Sequence, residues 1–262
     1  MSAPPVPGWL SGTQVVLRLA WTRMVRGSKL RLGVVATLLV VGAAVATRYA
    51  AAASEPAQVM EAALRLGFFG MLAYLLPFLF TSGAVAEEVE GRTMPFLALR
   101  PSGRVALALG KYAAGAGMSV LLLWSGVLVL HVAVHATSPS AMVEHASESL
   151  RAAGALGLLA LAYSAICLFW GAAVVEAGWL LSTLHLAALE FGLGWLPGML
   201  RLGSMNYLAT QIAGLPRGGF WPEGVPDVDV WVCVVVVSLV GAVFAVLATL
   251  VLRTSELGLG RA

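Results

Sequence analysis

Two histidines, one glycine–lysine pair and two glutamates near apolar runs are the residues of this sequence whose types and spacing could do chemistry. His131 and His135 stand four residues apart, a spacing at which two side chains share one helix face. A zinc site of the HExxH kind needs a glutamate between them, and none is present. The pair therefore indicates polar positions near a helix end, and the sequence predicts neither a metal site nor a catalytic residue.

The glycine–lysine pair, Gly110 and Lys111, resembles the end of a nucleotide-binding P-loop. That loop needs a glycine five residues before this Gly and a serine or threonine after the Lys, because these groups hold the phosphates and Mg²⁺. Val105 and Tyr112 occupy those positions. The chain is therefore not expected to bind ATP by this device, and no cofactor is predicted on it.

The two glutamates are Glu176 and Glu190, with Thr183 midway between them. On one continuous helix, at about 100° per residue, the three side chains fall within about 40° of one another and extend over roughly 20 Å. An ionisable residue inside a membrane marks a functional site by default, so the three residues form a candidate pathway. The alternative is that Glu190 is satisfied by helix packing or by water at the outer surface.

The elements that must carry these residues are strongly apolar. Of 262 residues, 60% are hydrophobic and 11% are charged, and the mean hydropathy is +0.89. A soluble domain carries about 25% charged residues, so the composition predicts an all-α membrane protein with one domain over residues 1–262. The net charge of +3 comes with no dense basic run, which argues against nucleic-acid binding.

Six apolar segments are long enough to cross a membrane, which takes about 20 residues. They cover residues 31–50, 64–86, 112–134, 152–175, 177–197 and 229–252.

The basic residues indicate the orientation of these segments, because eleven of the 16 Lys and Arg residues fall on one side of this arrangement. The positive-inside rule therefore places both termini in the cytoplasm, for a multi-pass protein of the cytoplasmic (inner) membrane. A signal peptide cleaved after Ala46 is the alternative for the first segment, but five more segments follow.

Residues 12–31 are too charged to span a membrane, but they are amphipathic. Apolar residues recur there at helical spacing on one face, namely Leu17, Ala20, Trp21 and Met24. Basic residues lie on the opposite face. This pattern predicts an interfacial elbow helix that turns into the first span near Gly33. The alternative is a plain cytoplasmic segment leading into that span.

The connection over residues 198–228 is rich in Gly and Pro, yet it also carries apolar and aromatic residues. Such a composition suits a pair of short helices that lies at the outer interface or re-enters the membrane there. An ordinary surface loop is the alternative.

Between the second and third apolar segments lies a polar stretch with a definite order: an acid-rich run, an apolar patch, a proline and basic residues. Its residues of interest are Glu87, Glu88, Glu90, Gly91, Arg92, Thr93, Met94, Phe96, Leu97, Pro101, Arg104 and Lys111. This order resembles the "E-E-x-E-x-x-T", apolar patch, "P-x-x-R" and "G-K" signature of ABC-2-type ABC transporter permeases. The family often has Gly immediately before the Thr, where this chain has Arg92.

The resemblance implies a six-span permease subunit of an ATP-driven exporter. Residues 94–99 would form a short coupling helix that rests on a separate cytoplasmic ATPase. The expected partners are two copies of that ATPase, which would bind ATP and Mg²⁺, and a second permease subunit, identical or similar. Membrane lipids and an accessory subunit are the other partners that the resemblance implies.

Physical chemistry suggests a role for each part of the stretch. The acids can pair with basic groups on a partner or with Arg92. Pro101 cannot continue a helix and biases the residue before it to an extended shape, so the chain turns there. Arg104 and Lys111 can extend toward phosphate head groups. The alternative is a solvated loop that only fixes topology.

Two further functions remain open from the sequence. The first is an ion- or proton-coupled secondary carrier that uses Glu176 and Glu190, for which paired broken spans or an internal repeat would be expected. No convincing repeat is present. The second is a membrane anchor or assembly subunit without transport activity.

Overall fold

The computed structural model describes residues 9–50, 55–90, 103–195, 198–215 and 228–254, and within these ranges every regular element is helical. The α-helices are α1 (Trp9–Arg26), α2 (Ser28–Ala50), α3 (Pro56–Ala62), α4 (Ala73–Thr81), α5 (Ala86–Glu90), α6 (Gly103–His135), α7 (Pro139–Glu144), α8 (Ala146–Ala173), α9 (Gly178–His185), α10 (Gly192–Trp195), α11 (Met205–Ala213) and α12 (Val230–Thr254). The remaining elements are two π-helical segments and a 3₁₀ helix: Ala63–Leu72, Leu186–Phe191 and Gly198–Gly203.

Five helical stretches are long and apolar enough to cross a membrane: Ser28–Ala50, Pro56–Val89, Arg104–His135, Ala146–Ala173 and Val230–Thr254. Each overlaps a predicted apolar segment, which confirms the prediction of an all-α membrane protein. Four of them begin before the predicted segment: Ser28–Ala50, Pro56–Val89, Arg104–His135 and Ala146–Ala173. The reason is that a helix continues into the polar interface, where basic side chains reach water, whereas the apolar pattern stops at the first charges.

The predicted fifth segment, 177–197, is not one regular helix. The chain forms α9, then the π-helical segment Leu186–Phe191, then α10, and this run is absent from the five candidate spans. A π-helical turn closes i→i+5 hydrogen bonds, which changes the direction of the side chains that follow it. A pattern read at 3.6 residues per turn therefore loses its phase within this segment.

The N-terminal segment forms a separate helix, α1, that packs along α6. The break before α2 falls at Gly27, whose N–H donates to the Met24 carbonyl at 3.1 Å, and not near Gly33 as predicted. Gly33 lies inside α2, where an added Cβ would come 3.0 Å from a Leu122 methyl carbon and 3.2 Å from a Leu76 methyl carbon. This glycine serves helix packing, so the sequence alone gave it the wrong role.

The most buried of the five candidate spans is α8, which lies at the centre of the bundle with α4, α6, α11 and α12 packed around it. Its spanning window is 72% buried, against 17% for α12. The outer faces of α2 and α12 present large apolar side chains to the surroundings, among them Leu38, Leu39, Trp231, Val235, Leu239 and Val246. An apolar outer face of this kind suits contact with lipid.

The start of α6 and the ends of α8 and α12 lie at one end of the bundle, which is called the basic end below. Arg104 donates to the Arg253 carbonyl at 3.2 Å, which joins α6 to the last turn of α12. Near the end of α8, a Cβ at Gly171 would lie 2.5 Å from the Ser82 carbonyl oxygen, so α8 lies directly against the turn after α4.

The other end, called the histidine end, carries His131, His135 and His145. There α8 begins, and the Ser149 hydroxyl lies 2.8 Å from His131 Nδ1. The end of α11 also lies here, because Gly214 directly follows that helix in the left-handed region (φ 68°), and a Cβ on it would come 2.2 Å from an Arg151 nitrogen. Glycine is the residue that adopts this conformation without strain.

Candidate functional site

The acid-rich run begins in α5, where Glu88 is almost fully buried. Glu88 Oε1 accepts from Lys111 Nζ at 2.7 Å and from Arg23 Nη1 at 2.8 Å. The side chains of Glu88 and Lys111 are only 3% and 7% exposed, whereas Arg23 is mostly exposed. A buried carboxylate without counter-charge is very costly, so the two cations are what make this position tolerable.

This Glu88 cluster (Arg23, Glu88 and Lys111) joins α1, α5 and α6, which are distant along the chain. Removing one partner of a buried ion pair costs about 3–5 kcal/mol, so the cluster strongly constrains how these three helices sit together. Lys29, near the start of α2, pairs with Glu87, the residue directly before Glu88. Both of those side chains are considerably more exposed, and an exposed pair contributes about 0–1 kcal/mol.

The glycine–lysine pair of α6 has a packing role in this cluster. A Cβ at Gly110 would lie 2.7 Å from Val16 Cβ and 3.0 Å from the Leu17 backbone nitrogen, so glycine is needed for α1 to lie directly against α6. The next residue, Lys111, then reaches Glu88. Gly110 therefore allows α1 to lie close to α6, and Lys111 joins α6 to α5 through its charge.

These contacts correct one expectation about the charged groups and add partners within the chain, while the expected pairing of the acids with Arg92 lies outside the described residues. Lys111 does not extend toward lipid head groups, because its ammonium is buried against Glu88. Glu87 and Glu88 take their basic partners from this chain, in α1, α2 and α6. Arg23 and Lys29 of the N-terminal segment supply two of these three partners, a role that the topology rule alone did not suggest for them.

Most of the predicted coupling motif lies outside the described residues: Gly91, Arg92, Thr93, Met94, Phe96, Leu97 and Pro101. Glu90 is the last residue of α5. Arg104 is in the first turn of α6 and bonds to Arg253. The structure therefore describes the two flanks of segment 91–102, and it holds those flanks together through Glu88 and Lys111.

The candidate pathway residues do not share a face. Glu176 is exposed in the turn before α9, and Thr183 is exposed with its hydroxyl donating to the Trp179 carbonyl at 2.9 Å. Glu190 is only 2% exposed and lies in the π-helical segment. The structure thus separates the three side chains that a continuous helix would have aligned.

The carboxylate of Glu190 binds the first turn of α11. Its Oε2 accepts from Ser204 Oγ at 2.8 Å and from the Asn206 backbone N–H at 3.0 Å, and its Oε1 accepts from the Met205 backbone N–H at 3.3 Å. The first N–H groups of a helix have no partner within it, and the positive end of the helix dipole favours an acid there. Glu190 is therefore satisfied as a helix cap.

This capped turn is tied to the second spanning stretch. Asn206 Nδ2 donates to the Phe69 carbonyl at 3.1 Å and to the Tyr74 hydroxyl, and the Tyr74 ring stacks on Tyr163 of α8 at 5.1 Å. Sequence reasoning missed this network. Ser204 before an apolar run is a recognisable N-cap signal, but the acid that binds it stands 14 residues earlier.

No protein-family model matches the chain, and no curated protein matches it in sequence. Among the residues that the structure describes, no three His, Cys, Asp or Glu side chains are placed to hold a metal ion. What the described residues offer is a buried ion-pair cluster, a capped helix inside the bundle and a polar cavity at the histidine end.

Proposed function

We propose that this chain is the membrane-spanning permease subunit of an ATP-driven ABC-2-type exporter in the cytoplasmic membrane, with both termini in the cytoplasm. In this proposal, a separate ATPase hydrolyses ATP, and the permease converts that cycle into movement of a substrate across the membrane. The observation that carries the proposal is the contact of Glu88 with both Arg23 and Lys111.

That contact brings together the two halves of the family-like motif. The acid-rich run lies on one flank of segment 91–102, and the glycine–lysine pair lies on the other flank. Because Glu88 binds Lys111 and also Arg23, a force applied to the segment acts on α1, α5 and α6 together. Coupling requires an element with two arrangements that both sites bias, and in this proposal the three helices tied at one point are that element.

The course of the chain supports a sixth crossing and an elbow helix. Helix α9 starts at the basic end, where a Cβ at Gly178 would lie 2.6 Å from Gly171 Cα. Helix α11 ends beside Arg151 at the histidine end. The chain therefore returns across the bundle between α8 and α12, in the pieces α9 to α11, and in the proposal this is the fifth of six crossings. Helix α1 is the proposed interfacial elbow.

The proposed assembly contains two permease subunits and two ATPase subunits, with ATP and Mg²⁺ bound by the latter. Support for a second permease subunit comes from the exposed apolar faces of α2 and α12, which suit contact with lipid and with another membrane helix. An accessory subunit is compatible with this arrangement.

The secondary-carrier alternative receives no support from the placement of its residues. Glu176 is exposed, and Glu190 is engaged by α11. The anchor alternative makes a different prediction about partners, because an anchor needs no ATPase with a Walker A loop. Affinity purification therefore separates it from the proposed permease.

The test is replacement of residues 94–99 by a Gly/Ser stretch of equal length. The unaltered chain is expected to co-purify with an ATPase that carries a Walker A loop. The variant is expected to lose that ATPase, because the apolar patch that would rest on it is gone. Cross-linking and mass spectrometry of the purified complex measure the loss.

The matched control replaces residues 255–260, which lie on the same proposed side, with the same Gly/Ser stretch. This control is expected to retain the ATPase. If no Walker A protein accompanies the unaltered chain, or if the 94–99 variant keeps both the ATPase and its transport activity, the proposed coupling role is wrong.

A further inference from the structure

The first two helices carry arginines that have no acidic partner in the part of the chain that the structure describes. Of the five cations on α1 and the first turn of α2, Arg23 binds Glu88 and Lys29 binds Glu87. The other three, called the arginine face below, are Arg18, Arg26 and Arg31. These three residues are exposed, and their side chains make no hydrogen bond or ion pair to any described residue. No described acid therefore neutralises them.

The outward side of α1 combines these arginines with apolar side chains, while the inward side packs along α6. Its large apolar residues, which are 48–53% exposed, are Val15, Leu19 and Val25. Arg18 and Arg26 lie about 12 Å apart along the helix axis and within about 80° of each other around it. Water alone would leave the apolar side chains exposed at a cost, and hydrocarbon alone would leave the guanidinium groups without hydrogen bonds. The boundary between head groups and acyl chains satisfies both kinds of side chain.

The exposed side of α2 indicates where this boundary lies. The large exposed residues directly after Arg31 are all apolar: Leu32, Val34, Val35, Leu38 and Leu39. The next charged residue is Arg48, and a helix from Arg31 to Arg48 is about 26 Å long. That length is close to the hydrocarbon thickness of about 30 Å, so Arg31 is expected near the phosphate groups of one leaflet. Helix α1 joins α2 at Gly27, shortly before Arg31, so the end of α1 lies close to the same level.

The chemistry of the arginine face favours a lipid with a net negative charge. A guanidinium group can bind a phosphate through two parallel hydrogen bonds. A zwitterionic lipid brings its own ammonium beside that phosphate, which cancels its charge, whereas an anionic phospholipid does not. Each Lys or Arg near an anionic membrane surface strengthens binding by about fivefold. Glu87 and Glu88 do not compete for these arginines, because both already bind other cations.

We propose that the arginine face binds anionic phospholipids. Their phosphate groups bind Arg18, Arg26 and Arg31, and their acyl chains lie against the apolar side chains beside them, which include Val25 and Leu32. The proposal rests on the interfacial position proposed for α1, and it does not depend on coupling to an ATPase. Anionic lipid is thus a specific partner of the N-terminal part of the chain, distinct from the lipid that contacts the spanning faces.

Competition between two lipids provides the first test. The purified full-length chain is reconstituted in nanodiscs that contain equal amounts of phosphatidylglycerol and phosphatidylcholine, and the lipids it retains in detergent are counted by native mass spectrometry. The unaltered chain is expected to retain phosphatidylglycerol over phosphatidylcholine by at least about tenfold. This preference should shrink in about 1 M salt, where the Debye length is only about 3 Å. Equal retention of the two lipids would overturn the proposal.

Arg26→Gln and Arg151→Gln form a matched pair, because each removes an exposed arginine that has no partner among the described residues. Arg151 lies at the histidine end, so Arg151→Gln should leave the lipid ratio unchanged. Arg26→Gln should lower the ratio severalfold, and glutamine at all three positions of the arginine face should bring it to about one. A ratio that falls equally in both single variants would contradict the proposal.

Lysine at the same three positions keeps the charge and also controls for folding of the glutamine variant. The lysine variant should retain most of the preference for phosphatidylglycerol, and a loss as complete as that of the glutamine variant would contradict a site based on charge.

An acidic segment of a partner protein is the other occupant that this face could take. In that case the glutamine variant would lose a co-purifying protein while its lipid ratio stayed that of the unaltered chain, and the proposal would be wrong. Absence of an ATPase from the purified chain, together with a lipid preference that depends on the arginine face, would contradict only the proposed permease function. The two proposals therefore fail in distinguishable ways.

Discussion

Glu88 and Glu190 are both almost completely buried, yet the protein satisfies their carboxylates by different means. Glu88 binds two cationic side chains from other helices, Arg23 and Lys111. Glu190 binds a hydroxyl and two backbone N–H groups at the start of α11. The partners of Glu88 stand 65 and 23 residues away, whereas those of Glu190 stand 14 to 16 residues away.

The difference indicates different tasks. A carboxylate bound by cations on separate helices controls how those helices sit relative to one another, and the cost of losing it is large because a buried charge is left behind. A carboxylate bound by a helix N-terminus fixes a local segment, and its loss exposes only a few N–H groups. The Glu88 contacts therefore hold separate helices together, which suits the mechanical role proposed for the basic end, whereas the Glu190 contacts position one short helix.

The largest expected effect comes from Glu88→Gln. Lys111 would then keep its charge in a buried position without a counter-charge, and we expect a loss of about 3–5 kcal/mol in the free energy of unfolding. Unfolding by SDS titration in mixed micelles, followed by tryptophan fluorescence, measures this loss. The double variant Glu88→Gln/Lys111→Met removes both charges and should regain most of it. A single variant that costs less than about 1 kcal/mol would contradict the cluster as described.

Glu190→Gln is expected to have a smaller effect, of about 1–3 kcal/mol, because the amide keeps one acceptor oxygen but loses the charge that favours the helix N-terminus. The same SDS titration measures it. If the chain is the proposed permease, transport per folded molecule should be unchanged, since the residue caps a helix. A variant that folds normally but no longer transports would return Glu190 to the candidate pathway.

Ser204→Ala tests the same helix cap by removing the hydroxyl that bonds Glu190 instead of the Glu190 charge. Ser204 donates to Glu190 and accepts from the Tyr207 N–H at 3.2 Å, so its loss should cost about 1 kcal/mol. Ser238→Ala is the matched control, because within the described part of the chain Ser238 bonds only the Val234 carbonyl of its own helix, on an exposed face. The control should stay within about 0.5 kcal/mol of the unaltered chain. Equal effects of the two variants would show that the cap contributes little.

Glu87→Gln gives the smallest expected effect and completes the comparison with Glu88. The ion pair of Glu87 with Lys29 is considerably more exposed, so its removal should cost about 0–1 kcal/mol. Unfolding of this variant alongside Glu88→Gln compares two neighbouring acids that differ mainly in burial. A loss as large as that of Glu88→Gln would mean that burial does not govern the effect.

Much of the fold follows from local sequence. A run of about 20 apolar residues is a sufficient signal for a spanning helix, because backbone groups must bond internally in lipid. Five of the six predicted segments appear as such helices. The segment 177–197 departs from its prediction because a π-helical segment and the glycines after it interrupt the regular repeat.

The site was less accessible to sequence reasoning. The motif directed attention to Glu88 and Lys111, but their mutual contact and the part played by Arg23 depend on how α1 packs against α6. That His135 Nε2 has no hydrogen-bond partner among the described residues could not be inferred from the sequence. Its tautomer follows from a contact with the His131 carbonyl that only the coordinates show.

The sequence by itself determined that the chain is helical and apolar enough for a membrane, since hydrophobic length is a local property of the chain. It also supplied the order of acids, apolar patch, proline and bases between two apolar segments. Only the tertiary structure decided which charges are buried and with which partners. An ion pair between Glu88 and Arg23, or a cap between Glu190 and α11, depends on distances across the bundle that local periodicity does not encode.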